Sequence, residues 1–221
     1  MPGITTPRIA LIHATPLAVE PIREAFARLW PEARTTNLLD DSLSADLAAS
    51  GKLDTAMIER FATLTRYVYK SGANAILFTC SAFGPAIDAA AKLVDIPVLK
   101  PNEAMLEEAL AAGSRIGIVA TFQPTIPSMV NELQALAASQ GKAIDIQTRH
   151  APGAMDALAA GRGDEHDQGI VAALAGLAQC DAVLLAQFSM AQAARHARSV
   201  LPCPVLTSPD SAVNKLHRVL G

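Results

Sequence analysis

The chain has 221 residues, of which 51% are hydrophobic and 18% charged, and its formal net charge is −3. Length and composition bound it to one large domain or two small lobes with a substantial core. No basic run interleaved with aromatic residues is present, which argues against a nucleic-acid partner, and no apolar run nears the roughly 18 residues of a membrane span.

In chain order, residues 8–14 read as a strand ending at His13-Ala14-Thr15, and Pro16 opens an amphipathic helix to about Trp30, where Pro31 stops it. Residues 35–39 read as a second strand that delivers Asp40-Asp41-Ser42 into a small, polar loop over 43–53, which could cover a site. A helix follows over 55–71, with Met57, Phe61, Leu64 and Val68 as its buried stripe and Gly72 as its end.

The stretch Ala75-Ile76-Leu77-Phe78-Thr79-Cys80 is too short for a helix and reads as a buried parallel strand. Gly84-Pro85 then starts a helix to about Val94. Cys80 therefore stands where a strand ends and a helix begins, and in open α/β sheets ligands bind outside such carboxyl ends. A helix dipole aimed at a thiol favours thiolate. Strand four spans 97–100, and a helix over 102–112 leads onward.

The remainder repeats that order. Strands are expected at 115–121, 143–148 (ending near His150), 182–186 and 204–207, with helices at 124–139, 153–160, 164–178, after Met190, and 210–220. A shift of 107 positions carries Arg8-Ile9-Ala10-Leu11-Ile12 onto Arg115-Ile116-Gly117-Ile118-Val119, Ala75 onto Ala182, and Pro97-Val98-Leu99 onto Pro204-Val205-Leu206. A repeat of that period means a duplicated unit. Alternating strands and helices in two copies imply an α/β fold of two pseudo-symmetric, Rossmann- or flavodoxin-like lobes, each a parallel sheet flanked by helices. The same shift carries Cys80 onto Gln187: one lobe offers a thiol where the other offers an amide.

The strands end at polar or reactive residues: His13, Asp41, Cys80 with Ser81, Lys100, Thr121 with Thr125, His150, Gln187 with Ser189, and Thr207. If the lobes face each other, these groups line one cleft, where hydroxyls and helix N-termini suit a small carboxylate. Phe83, Phe122 and Phe188 beside the strand ends would make that cleft more apolar than one for aspartate, or else pack behind the loops. Cys180 and Cys203 read as packing residues. Gly161-Arg162-Gly163-Asp164 follows a helix and is a turn, not a phosphate loop. Glu165-His166-Asp167 reads as dipole-favoured surface charge; no zinc-type spacing exists, and no metal is expected. Three dispersed cysteines fit a reducing, cytoplasmic compartment. The N-terminal stretch has neither a basic nor an apolar leader region, so no signal peptide is expected.

The duplicated lobes, Phe78-Thr79-Cys80-Ser81, Gly117-Ile118-Val119-Ala120-Thr121 and Gln187-Phe188-Ser189-Met190 together resemble the aspartate/glutamate/hydantoin racemase superfamily, which includes maleate isomerase and arylmalonate decarboxylase. The resemblance covers essentially the whole chain. It implies a cofactor-independent, racemase- or isomerase-type enzyme acting on a small carboxylic or amino acid, with Cys80 as acid/base, and a homo-oligomer. The first lobe would comprise 1–100 and 208–221, the last helix crossing back to it, and the second 101–207. The catalytic set would be Cys80, Gln187 and His150. The substrate-binding set would be His13, Asp41, Ser81, Ala82, Phe83, Lys100, Thr121, Phe122, Thr125, Phe188, Ser189, Met190 and Thr207.

Two departures stand out. The first motif reads Cys80-Ser81-Ala82 where the family usually has Cys-Asn-Thr, and Gln187 occupies the place of a second cysteine. Racemisation needs an acid/base group on each face of the carbon, and an amide is neither, although it can hydrogen-bond an enediolate oxygen. Cys80 is therefore expected to work with another base (His150, Lys100 or water), to protonate one face only, as in decarboxylation, or to attack a double bond, as in a cis-trans isomerase. A small-acid binding protein without turnover is the reading from outside enzymology.

Overall fold

The computed structural model describes residues 6–221, which divide into two compact units, 6–101 with 212–221 and 102–211. Residues 1–5 of the stretch read for a leader lie outside the described residues. No helix among the described residues is long and apolar enough to cross a membrane.

In the first unit, β1 (Arg8–His13) is followed by a 3₁₀ turn (Pro16–Ala18) and α1 (Val19–Leu29). Thr15 caps that turn by accepting the Leu17 N–H, and Pro16 takes the position where a missing N–H is harmless. β2 (Arg34–Leu39), α2 (Ser42–Ser50), α3 (Thr55–Lys70), β3 (Ala75–Phe78), a 3₁₀ turn (Ser81–Phe83), α4 (Gly84–Ala91) and β4 (Val98–Leu99) complete the order. The expected loop over 43–53 is mostly α2. Leu43, fully buried, and Leu47 lie one turn apart on its inner face, and Gly51 closes it at φ 65. The sheet is all parallel, in the order β2-β1-β3-β4.

Its core is dominated by Phe61 of α3, whose ring lies 5.3 Å from that of Phe78 and 4.8 Å from that of Phe83. Full burial of such side chains stabilises the fold by about 1.5–3 kcal/mol each. The C-terminal residues 212–221 belong to this unit, and His217 stacks on Trp30 at 4.7 Å.

The second unit runs α5 (Glu103–Ala112), β5 (Arg115–Ala120), α6 (Thr125–Ser139), β6 (Asp145–His150), α7 (Ala154–Ala159), α8 (Gly163–Ala173), β7 (Ala182–Leu185), a 3₁₀ segment (Phe188–Ala193), α9 (Ala194–Val200) and β8 (Val205–Thr207). α10 (Ser208–Leu220) begins in this unit and ends in the first. Its sheet order, β6-β5-β7-β8, reproduces that of the first unit. Alternate residues of β7 enter opposite cores: Val183 and Leu185 one, Ala182 and Leu184 the other. That is the pattern of a parallel strand covered on both faces. Cys180 lies buried in one of these cores and Cys203 packs against it. α8 stops at Ala173, short of the expected 178.

Register reproduces the shift of 107 between the units. Ile9 pairs with Ala75 and Ile116 with Ala182; Ile76 pairs with Val98 and Val183 with Val205. The strand starts are stapled alike: Asn74 Oδ1 accepts the Arg8 N–H at 2.8 Å, and Asp181 Oδ2 accepts the Arg115 N–H at 2.9 Å. A Cβ on Gly113 would meet the Asp181 carboxylate at 2.4 Å, so only glycine leaves room for the second staple. These repeats are consistent with duplication.

Candidate functional site

In each sheet the chain winds to one side for its second strand and to the other for its third and fourth. The switch point lies between β1 and β3 in the first unit and between β5 and β7 in the second. A crevice for ligands opens at the carboxyl ends beside such a point. The first is flanked by His13 and Cys80, the second by Thr121 and Gln187.

Cys80 continues β3 in extended conformation, at φ −126 and ψ 122, and heads the 3₁₀ turn that starts at Ser81. Thr79 N–H donates to the Ile12 carbonyl at 3.1 Å, which ties this strand end to β1. Contrary to the expected thiolate, burial pushes the Cys80 thiol up, while the neighbouring Ala82 N–H and Ser44 hydroxyl pull it down. A thiol held above its ordinary value is protonated near neutral pH and is a proton donor at rest.

Sequence reading missed Ser44. Its Oγ donates to the Ala14 carbonyl at 2.8 Å, so with the thiol protonated Oγ can accept from S–H. If sulfur loses its proton, the same hydroxyl can turn and donate to it. The signal for its place was the Leu43/Leu47 spacing that makes α2 a helix.

His13 is fully buried, and both its ring nitrogens have side-chain partners, Thr79 Oγ1 at 2.8 Å and Asn37 Oδ1 at 3.0 Å. Burial lowers its pKa, partly offset by the Asn37 hydrogen bond. Ser81 is half-buried and Ala82 exposed beside Cys80, and Asp41 is exposed at the start of α2. Phe83 lies wholly inside the core. Lys100 Nζ pairs with Asp88 at 3.0 Å.

In the second unit Gln187, Thr121 and His150 come together. Gln187 Oε1 accepts the Thr121 N–H at 2.8 Å and its hydroxyl at 3.2 Å. A backbone N–H can only donate, so the amide oxygen faces Thr121 and the NH₂ is left as the donor end of the side chain. Thr121's donors, expected to bind substrate, are thus engaged by Gln187. His150 Nε2 lies 3.3 Å from the Thr121 carbonyl, an acceptor only, so Nε2 carries a proton.

Phe122 is exposed and Thr125 half-buried at the start of α6, while Phe188 and Met190 are buried. Ser189 is half-buried, and Thr207 is buried, its Oγ1 accepting the Asp210 N–H at 3.3 Å.

No group of three or more His, Cys, Asp or Glu able to hold a metal occurs among the described residues. The Glu165-His166-Asp167 run is not all surface charge: His166 is fully buried, Nδ1 2.8 Å from Asp167 Oδ1, with no partner for Nε2. A groove of about 500 Å³ between α8 and α9, lined by Asp167, Val171, His196 and Val200 among others, shares no lining residue with the strand ends.

Similar folds occur in an aspartate racemase homologue from Pyrococcus horikoshii (TM-score 0.72, 13% identity, covering 96% of this chain and 98% of that one) and in the aspartate racemase of Picrophilus torridus (0.70, 14%, 97% and 94%). Unliganded arylmalonate decarboxylase is a third (0.65, 19%, 98% and 94%). At these identities the likeness is one of fold. No curated protein matches the chain. The family model for Asp/Glu/Hydantoin racemase matches residues 13–136, more than half of the chain and inclusive of His13, Cys80 and Thr121. The chain belongs to the Asp/Glu/Hydantoin racemase family.

Proposed function

We propose that this protein is a cofactor-independent enzyme of the racemase superfamily that transfers a proton at the carbon next to the carboxylate of a small carboxylic or amino acid, with Cys80 as its single thiol acid/base. The observation that carries this reading is the anchoring of Gln187: Oε1 is held by Thr121 N–H at 2.8 Å, so its remaining polar group is an NH₂ that donates hydrogen bonds but exchanges no useful proton. Gln187 stands where the duplicated arrangement repeats Cys80, so the chemistry is one-sided.

An enediolate forms by transfer of the α-proton to solvent water or, in a malonate, by cleavage of the C–C bond with departure of carbon dioxide, the electron pair remaining on the substrate. The Cys80 S–H bond then breaks, the proton goes to carbon and a thiolate is left. Ser44 and the Ala82 N–H stabilise that thiolate until solvent reprotonates it.

The test is turnover of a panel of 2-substituted carboxylic acids, amino acids and malonates. Cys80→Ser should abolish activity, because an alkoxide is inaccessible near neutral pH. Activity retained in Cys80→Ser contradicts the proposal.

A further inference from the structure

His13, Thr79 and Asn37 form a buried polar chain beside Cys80 whose proton arrangement can be deduced. Thr79 Oγ1 has one proton and two possible acceptors, the Ile12 carbonyl at 3.4 Å and His13 Nδ1 at 2.8 Å. An ordinary O–H···O bond is roughly 2.7–2.8 Å, so the proton goes to Nδ1. Nδ1 is then an acceptor, Nε2 carries the ring proton, and that proton is donated to Asn37 Oδ1 at 3.0 Å. His13 is neutral and saturated on both nitrogens, with nothing left for a substrate.

The duplicated unit shows that the fold does not need this pair. Ile12–Phe78 and Val119–Leu185 are equivalent register pairs, so the following residues His13 and Thr79 correspond to Ala120 and Ala186. Both alanines are buried, and Ala186 N–H donates to the Val119 carbonyl at 2.9 Å as Thr79 N–H does to Ile12 at 3.1 Å. Two methyl groups suffice at the same place in the unit with Gln187. Burying an imidazole and a hydroxyl is costly unless each is paired. In the Cys80 unit that cost is met, on the residue next to the thiol.

The geometry points to His13 as a positioning residue that acts through Thr79 to hold the strand end carrying Cys80, with Asn37 selecting its tautomer. This rests on the reading of Cys80 as the reacting thiol. Loss of the pair loosens the peptide that aims sulfur at the Ala82 N–H, so the thiolate loses a donor.

The test makes the first unit copy the second in the full-length protein, as H13A/T79A, beside the singles T79V and T79S. Alkylation of Cys80 by iodoacetamide is followed by mass spectrometry across pH, and folding by thermal denaturation. H13A/T79A should melt cooperatively yet show its alkylation curve displaced by about one pH unit upward, about tenfold slower at a fixed pH below the midpoint. T79V should behave likewise, and T79S, which keeps the hydroxyl, should stay within about twofold of the parent. An unchanged profile in a folded H13A/T79A or T79V overturns the inference. Nitrogen NMR of His13 in the parent decides independently of any variant: the neutral Nε2–H tautomer at pH 7 is expected, and an Nδ1–H or doubly protonated ring overturns it. Cys80 inert in the parent would strike at the proposed function instead, since the tautomer does not depend on it.

Discussion

Cys80, Ser44 and His13 divide the labour around one sulfur atom. The Ser44 hydroxyl has a single proton, held by Ala14 at rest and available to a thiolate on rotation. Ser44→Ala should therefore slow iodoacetamide alkylation of Cys80 about three- to tenfold at pH 8, the effect of one hydrogen bond, without changing Cys180 or Cys203. His13 gives a pH signature. Its pKa is lowered from 6.5 in the folded protein, so its contribution to stability is complete above about 6.5 and is lost as pH falls through the lower folded value. Thermal denaturation between pH 7 and 5 should show the parent losing more stability on acidification than H13A/T79A. Of these residues, Cys80 was legible in the sequence from its strand-end, helix-start position. The bond between His13 and Thr79 was not legible, because a contact between residues 66 apart leaves no local pattern. The legible signal was the contrast between copies, His13 against Ala120 and Thr79 against Ala186.

At the scale of elements, hydrophobic runs and the shift of 107 positions made the strands, their order along the chain and the two-unit architecture readable. Parallel strands covered on both faces are nearly all apolar, and β3 and β7 are fully buried. α2 was not read because Ser, Ala and Asp dilute a stripe reduced to Leu43 and Leu47, and its packing supplies what its sequence lacks. The strand-start staples yield a further expectation. Asp181 accepts from the Ser114 and Arg115 N–H groups and from the Arg115 guanidinium, which holds its carboxyl at about 2, below its ordinary 3.8. A lowered carboxylate pKa means stability present above about 3.8 and lost as pH falls toward 2. Asp181→Asn, which copies Asn74 of the first unit, should keep the fold and flatten the acid limb of a stability–pH curve measured by urea denaturation between pH 5 and 2. A limb as steep as the parent's would show that the staple is not the source.

At the scale of the whole molecule, two units of one topology carry unlike chemistry. The first places a protonatable sulfur at its switch point; the second places an amide whose oxygen is already held, beside His150 on the Thr121 carbonyl. From the sequence, Gln187 could be paired with Cys80 by position, but not seen to be anchored, since that required the close approach of the β5 and β7 ends. Proton traffic through a single thiol is measured most directly by turnover in deuterium oxide followed by chiral chromatography and mass spectrometry of the product. One deuterium should be delivered to one face of the α-carbon, giving a single enantiomer, with loss of both in Cys80→Ser. Rapid racemisation by the unaltered protein, with deuterium arriving on both faces, would contradict this and require a second base, with His150 the first to replace.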